Sequence, residues 1–210
     1  CAWLRHLHIS RAKIEWLAFL ATRRDTFALP TSNCDGYRIQ RREDNFRDPN
    51  RDFPYSRPDS HCLKTDTARL IFEIMTDTLT QIVVTFHGGM VALGYEWGSY
   101  DHPRGSDRSP DHAAHSSIGA SMSALSGSGS RPNSTFYSAK PINSIVYPVH
   151  GGMEDWMYAG GWDASALRQC FEYPPRARRN AGLNNPRAIV FLVETSDAKR
   201  PRNHQLGRPK

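Results

Sequence analysis

The chain has 210 residues, of which 39% are hydrophobic, and five Trp and nine Phe among them are enough to build one sizeable core. Its net charge of +6 is spread along the chain, and no recognised nucleic-acid-binding motif accompanies it, so we expect no specific nucleic-acid partner. The four cysteines show no CxxC or CxxH spacing, which excludes a cysteine-rich zinc module and a dense disulfide scaffold. No apolar run reaches about 18 residues, so no membrane span is expected.

Helix and strand patterns alternate along the first half of the chain. The sequence predicts the end of a helix at 14–22 and a short strand at 26–33, which Pro30 would end. A helix is predicted at 65–78, where Thr65 and Asp66 can cap the first turn. Four apolar side chains of this helix share one face, namely Leu70, Ile71, Ile74 and Met75. Residues 81–87 are predicted to form a fully buried strand, because the apolar run is continuous and rich in β-branched residues.

The second half continues the alternation after a change of composition. Ser, Gly, His and charged residues dominate 101–132, which we interpret as a long loop or a partly ordered insertion. Further strands are predicted at 144–149 and 188–194, with a basic, proline-rich loop at 172–186 between them. Such alternation of helices and strands is typical of an α/β sheet with helices packed on it.

Chemically reactive side chains stand where predicted strands end. His87 closes the strand at 81–87, Glu194 closes the last strand, and the polar segment 33–51 follows the strand predicted at 26–33. Ligands of open α/β sheets bind at the carboxyl ends of strands, because the loops there vary while the sheet holds them in place. A single histidine or glutamate at a strand end is weak evidence, but the set together indicates a site.

Six motifs follow one another in a fixed order: SNCDGY at 32–37, RRED at 41–44, DPNRDFPY at 48–55, TFHGG at 85–89, YPVHGGMEDWMYAGGWD at 147–163 and FLVETSDAKRP at 191–201. Together they resemble the zinc carboxypeptidase family, of the carboxypeptidase A/B type, and in particular its compact branch with a DPNRDFPY motif. The resemblance covers 16–201, with 101–132 as a Ser/Gly-rich insertion; it leaves 1–15 unassigned and 202–210 as a basic tail. It implies an α/β fold with a mixed, largely parallel sheet and flanking helices.

The resemblance also implies a reaction, the zinc-dependent hydrolysis of C-terminal residues of peptides and proteins. Arg51 and Asn50 match the pair that binds the substrate's terminal carboxylate, and the planar fork of an arginine suits that task. Tyr158, in DWMY, matches the mobile tyrosine that closes over this carboxylate. Either Arg41 or Arg42, with Arg42 preferred, matches the arginine that stabilises the oxyanion, where a fixed positive charge offsets the developing negative charge.

Two further residues match the catalytic centre of the family. Glu194 matches the general base and acid, which takes a proton from the attacking water and passes it to the leaving amine. His87 matches the last of three zinc ligands, and the two glycines after it let the chain turn away tightly.

The sequence departs from the family at the other two zinc ligands. These normally come from an HxxE motif upstream of the Asn-Arg pair, but none of the nine histidines has Glu three residues later. His6 and His8 could share one face of a strand, yet no acidic residue follows at the required spacing. We therefore expect that the chain begins partway into the domain or is a diverged copy. Its alternative function is a non-catalytic domain that binds peptide C-termini.

A second group of possible metal ligands lies within the Ser/Gly-rich insertion: Asp107, Asp111, His112 and His115. Their spacing permits a metal site, but the composition of the segment favours a solvated polar stretch, which is our prediction.

Overall fold

A computed structural model describes residues 15–57, 61–103, 105–126, 137–166, 170, 187–199 and 202. The chain divides into two compact units, Cys1–Arg42 and Glu43–Lys210. The predicted loop at 172–186, the histidines His6 and His8 that were considered as ligands, and almost all of the tail lie outside the described residues. None of the described helices is long and apolar enough to cross a membrane.

The first unit contains helices α1, Glu15–Arg23, and α2, Cys34–Ile39. Asn33 caps α2, because its side chain accepts a hydrogen bond from the Gly36 amide and donates one to the Arg42 carbonyl at 3.0 Å. A Cβ at Gly36 would lie 2.3 Å from the Asn33 amide nitrogen, so only glycine fits beside the capping side chain.

The second unit is built around a mixed sheet of β1, Ile82–His87; β2, Val91–Tyr95; β3, Ser138–Pro141; and β4, Ile189–Thr195. In the described part of the chain the strands pair in the order β1-β4-β2-β3. β1 with β4 and β2 with β3 are parallel, whereas β2 with β4 is antiparallel. The sheet is therefore mixed and mostly parallel, as expected for an α/β fold.

Helices cover the sheet: α3, Asp66–Asp77; α4, His112–Leu125; the short α5, Ile142–Ile145; and α6, Met153–Ala159. α6 packs against β4, and α4 packs against β2 and β3. Val190 belongs to the main core cluster with residues of α3 and α6, whereas Phe191 contacts His115 of α4. Because successive side chains of a strand point to opposite faces, these contacts place helices on both faces of the sheet.

The core of this unit is aromatic and is crossed by one disulfide. Its largest members are Phe53, Tyr55, Trp97, Trp156 and Tyr158. Cys62 and Cys170 form a disulfide between residues 108 positions apart in the sequence. The sequence does not predict this bridge, because isolated cysteines carry no pairing information.

Three predicted elements are confirmed with nearly their predicted bounds. α1 covers most of 14–22, β4 covers all of 188–194 except residue 188, and α3 begins after the N-cap Thr65, whose side chain accepts a hydrogen bond from the Ala68 amide. Ile71 and Met75 of α3 are buried, and Leu70 is exposed.

The strand predicted at 81–87 exists, but the expectation that it is buried on both faces is wrong. β1 alternates, with Ile82, Val84 and Phe86 exposed to 65%, 42% and 73%. Within the described residues β1 is the end strand of the sheet, so a continuous apolar run is no guarantee of two covered faces.

The strands predicted at 26–33 and 144–149 are also wrong. Residues 24–33 form no regular element, and α2 begins directly after them. Residues 142–145 form α5, after which Val149 makes only an isolated bridge to Ser99. Pro148 lies inside the second segment, and a proline cannot donate to a strand ladder.

The long loop predicted at 101–132 contains the 14-residue helix α4. The helix was not predicted, because its small residues leave no broad apolar stripe in the sequence. A Cβ at Gly119 would lie 2.8 Å from the Ala139 Cβ, so glycine lets α4 approach the sheet closely.

Candidate functional site

His87 and Glu194 lie side by side at the ends of β1 and β4. The two strands run parallel, and His87 is the register partner of Glu194. Side chains of register partners point to the same face of a sheet, so the imidazole and the carboxyl group are neighbours. The structure therefore brings together two side chains that are 107 positions apart in the chain.

Glu194 is 8% exposed, and its Oε2 has no hydrogen-bond partner among the residues that the structure describes. Gly89 lies beside it with φ +148°, and a Cβ there would be 3.8 Å from Oε2 and 3.2 Å from the Lys199 Cε. The positive φ is what favours glycine at this position, since the contacts with Glu194 and Lys199 leave room for a Cβ. A buried carboxylate oxygen without a partner can accept a proton from a bound water.

Asn50 and Arg51 belong to a 3₁₀ turn, Pro49–Arg51. The Asp48 side chain accepts a hydrogen bond from the Asn50 amide at 3.0 Å, and Pro49 occupies the first position of the turn, where its fixed φ is favourable. The DPNR sequence thus encodes this turn locally.

Glu154, the second residue of α6, links Asn50 to His87. The Asn50 Oδ1 accepts a hydrogen bond from the Met153 amide at 2.7 Å, while its Nδ2 donates to Glu154 Oε2 at 3.1 Å. Thr85 donates to Glu154 Oε1 at 3.0 Å, and the His87 Nε2 lies 3.8 Å from the same oxygen. Because Glu154 is only 4% exposed, this carboxylate is a buried connection between the 3₁₀ turn and the end of β1.

Arg51 lines a cavity of about 380 Å³. Arg57 and His150 supply further basic groups to its wall, and Tyr100 and Tyr147 supply aromatic rings. The Arg51 Nη2 donates a hydrogen bond to the Tyr147 hydroxyl oxygen at 3.3 Å, and its guanidinium lies 5.7 Å from the centre of that ring. Tyr147 is 53% exposed, so about half of this residue faces solvent beside Arg51.

Gly151 leaves room for Arg51 and Arg57 to lie close together in this cavity wall. It adopts φ +67°, and a Cβ there would lie 2.5 Å from the Arg51 carbonyl oxygen and 2.9 Å from the Arg57 Nη1. The Arg57 guanidinium donates a hydrogen bond to the same Arg51 carbonyl. The Gly151 amide in turn donates to the Tyr55 carbonyl at 2.9 Å. A side chain at position 151 would push both arginines out of place.

Tyr158, the predicted mobile tyrosine, lies in the core with 1% exposure. Its hydroxyl donates a hydrogen bond to the Asp111 Oδ2 at 2.9 Å, and its ring packs against Trp97, His115 and Trp162. Burial raises the pKa of this phenol, and the bond to Asp111 raises it further. Its role at the substrate carboxylate stays a prediction.

Arg41 and Arg42, the proposed oxyanion arginines, belong to the first unit, where both side chains are exposed. The Arg41 amide donates a hydrogen bond to the Gly36 carbonyl at 2.7 Å, so the backbone of Arg41 is bonded to α2. Their role also stays a prediction.

The ligand set for zinc is incomplete in the part of the chain that is described. His87 offers an imidazole nitrogen, but no three His, Cys, Asp or Glu side chains among the described residues are grouped so that they could hold a metal ion. The described residues alone therefore do not fit a zinc site of two histidines and a glutamate.

The second group of candidate ligands, at 107–115, is partly buried, since Asp107 is exposed and His115 is buried. His115 is fully buried on α4, where its Nδ1 lies 3.4 Å from the Oε2 of buried Glu96. Burial lowers the pKa of His115 and raises that of Glu96, so both groups favour their neutral forms. The Asp107 Oδ2 is hydrogen-bonded to the His102 Nδ1 at 2.5 Å, and the Asp111 Oδ2 accepts a hydrogen bond from the Tyr158 hydroxyl. The prediction of a solvated stretch is wrong for His115.

Two residues of this site were not singled out from the sequence. Tyr147 and Glu154 both belong to the motif YPVHGGMEDWMYAGGWD, in which only Tyr158 was assigned a role. The signal available was that motif itself, since GG allows a tight turn that brings its two ends together around Arg51 and Asn50.

Comparisons with known proteins identify the family of the chain. The zinc carboxypeptidase family profile matches residues 8–190. The chain is similar to carboxypeptidase SOL1 of Arabidopsis thaliana, with 28% identity over 138 residues; that match covers 63% of this chain and 28% of the relative. The chain thus spans well under two thirds of this relative's length. Because the family profile extends over most of the sequence, the chain belongs to the zinc carboxypeptidase family.

Proposed function

We propose that the protein binds the free C-terminus of a peptide and hydrolyses the last peptide bond. The observation that carries this proposal is the pairing of His87 with Glu194 at one edge of the sheet, joined to the Asn50-Arg51 turn through Glu154. Glu194, with its buried and unpartnered Oε2, acts as the general base for the attacking water and then protonates the leaving amine.

Recognition of the C-terminus falls to Arg51. Its planar guanidinium binds both oxygens of a carboxylate at once, and Tyr147 lies next to it with an exposed hydroxyl. From this contact we propose that Tyr147 is the aromatic side chain that covers the bound carboxylate. Asn50 positions the turn, because both atoms of its side-chain amide are bonded to α6.

Zinc is the cofactor of the family, and it would polarise the carbonyl of the scissile bond and acidify a water. His87 is the described residue that we propose as a ligand. We further propose Arg42 or Arg41 as the donor to the oxyanion, as the resemblance implies.

A peptide with a blocked N-terminus and a free C-terminus tests the proposal. With zinc in the buffer, the protein should release the last amino acid, and Glu194→Gln should slow this release by about 10²- to 10⁴-fold. Glu15→Gln, which removes an exposed carboxylate from α1, should leave the rate unchanged. Equal rates for Glu194→Gln and the unmodified protein would contradict the role of Glu194.

The alternative function is a binding domain without catalysis. It is favoured by one observation, since the recognition residues Arg51 and Tyr147 are in contact, whereas the described residues contain no complete zinc ligand set. A protein that binds the free C-terminus with zinc present, yet releases no amino acid, would support this alternative over the peptidase.

A further inference from the structure

Lys199 lies beside the proposed general base, on the segment that follows β4. Its stem runs along the two glycines after His87, because a Cβ at Gly88 would be 3.8 Å from the Lys199 Cγ and one at Gly89 would be 3.2 Å from the Cε. The same Cβ position at Gly89 is 3.9 Å from the Lys199 Nζ and 3.8 Å from the Glu194 Oε2. The ammonium group and the carboxyl group therefore lie close to the same point.

The backbone of this segment is bonded to the turn that follows β1. The Gly89 amide donates a hydrogen bond to the Ser196 carbonyl at 2.7 Å, and the Thr195 hydroxyl donates one to the His87 carbonyl at 2.9 Å. The Ser196 hydroxyl accepts a hydrogen bond from the Ala198 amide at 3.1 Å, which forms a turn directly before the lysine. These bonds fix the point from which the lysine side chain starts.

The ammonium group of Lys199 is accessible to a ligand. The residue is exposed, and within the described part of the chain it takes part in no ion pair. It does not donate to the Glu194 Oε2, which has no hydrogen-bond partner among the described residues. A lysine ammonium is a compact charge with three donors on a flexible stem, so it suits a carboxylate that approaches from solvent.

We propose that Lys199 is a specificity-determining residue, whose ammonium group binds the side-chain carboxylate of Glu or Asp at the position before the last residue of the peptide. This inference rests on the proposed function, because it takes Arg51 as the group that binds the terminal carboxylate and Glu194 as the base at the last peptide bond. The cavity beside Arg51, which neither Lys199 nor Glu194 lines, holds the last residue. The preceding residue therefore lies beyond the scissile bond, where Lys199 is exposed.

The test is calorimetric titration of the full chain with N-acetylated tripeptide analogues, with zinc in the buffer. A ketomethylene group replaces the last peptide bond, so the analogues bind without being cleaved. Ala-Glu-Ala should bind about two- to fivefold more tightly than Ala-Gln-Ala, as expected for an ion pair with an exposed lysine. It should also bind more tightly than its isomer Glu-Ala-Ala, which has the same net charge.

Three variants test whether the preference comes from Lys199. Lys199→Gln should make the affinities for Ala-Glu-Ala and Ala-Gln-Ala equal, whereas Lys199→Arg retains the charge and should retain the preference. Lys140→Gln is the matched control, because it removes an exposed lysine from β3, at the opposite end of the described sheet, and it should keep the preference. A higher salt concentration should reduce the preference, since salt screens an exposed pair.

The outcomes separate this inference from the proposed function. Ala-Gln-Ala should bind more tightly as the free acid than as the C-terminal amide, and equal affinities for the two would contradict carboxylate recognition and with it the proposed function. With that recognition intact, equal affinities for Ala-Glu-Ala and either of the other two acids would overturn the acidic preference alone. A preference that survives in Lys199→Gln would overturn the role of Lys199. Absence of binding to all the analogues would overturn both proposals.

Discussion

Two tyrosines compete for the role at the substrate carboxylate, and their surroundings differ. Tyr147 is half-exposed and contacts Arg51, whereas Tyr158 is buried and bonded to Asp111. A side chain that closes over a ligand must be free to move without disturbing the core. The contact with Arg51 and the exposure of the ring both favour Tyr147.

The corresponding Phe variants distinguish the two tyrosines. Tyr147→Phe should weaken binding of a peptide with a free C-terminus by roughly 2- to 10-fold, because one hydrogen bond is lost, and should leave stability unchanged. Tyr158→Phe should lower the free energy of unfolding by about 1 kcal/mol and leave binding unchanged. Calorimetric titration and urea unfolding measure the two quantities. The reverse pattern would restore Tyr158 to the role that the sequence predicts.

Sequence reasoning located the two strand-end side chains, because hydrophobic runs show where strands end. His87 and Glu194 are consequently neighbours in the structure, as parallel strands require. It did not locate Glu154, whose significance depends on contacts with Asn50 and Thr85 far away in the sequence. Contacts of this kind arise from tertiary packing and leave no periodic pattern in the chain.

At the scale of elements, the predictions succeeded where a local signal and the packing agree. α3 has a capping Thr65 and an amphipathic pattern, and it forms as predicted. α4 has neither a strong stripe nor a side-chain cap, and it is stabilised by close packing of small residues on β3. The prediction of a strand at 144–149 is wrong because Pro148 lies inside the segment and cannot donate to a strand ladder.

Thr65 connects α3 to the turn that carries Arg51. Its hydroxyl accepts from the Ala68 amide and donates to the Asp52 Oδ2 at 2.9 Å, and Asp52 follows Arg51 directly. Thr65→Ala should therefore lower the free energy of unfolding by about 2 kcal/mol, since the cap is lost and buried Asp52 loses a donor. Thr65→Ser retains the hydroxyl and should cost under about 1 kcal/mol in urea unfolding. Equal losses for both variants would contradict the role of the hydroxyl.

At the scale of the whole molecule, the Cys62–Cys170 disulfide restricts the unfolded chain over 108 residues. Replacing both cysteines by alanine should lower the free energy of unfolding by about 2–4 kcal/mol in guanidinium denaturation. Cys34→Ala is the matched control, because Cys34 is an exposed free cysteine, and it should change stability by no more than about 0.5 kcal/mol. A reducing agent should destabilise the unmodified protein and have no such effect on the double variant.

Buried carboxyl groups give the whole molecule a pH dependence. Burial raises the pKa of Asp155 to about 7, although the Gly98 amide lowers it, and burial also raises the pKa of Glu96. Between about pH 4 and pH 7 the unfolded chain has released these protons while the folded protein retains them. The contribution of Asp155 to the free energy of unfolding should therefore decrease as pH rises through this window and level off above it, and the raised pKa of Glu96 acts in the same direction.

Asp155→Asn replaces one of these titrating carboxyl groups by an amide, which does not titrate. Its free energy of unfolding, relative to the unmodified protein, should rise by more than about 1 kcal/mol between pH 4 and pH 8, as measured by urea unfolding at each pH. The free energy of unfolding of Glu96→Gln, relative to the unmodified protein, should also rise with pH. Repeating the series at high salt screens the exposed charges and leaves the effect of the buried groups. Parallel stability curves for Asp155→Asn and the unmodified protein would show that Asp155 is already ionised in the fold, held by the Gly98 amide alone.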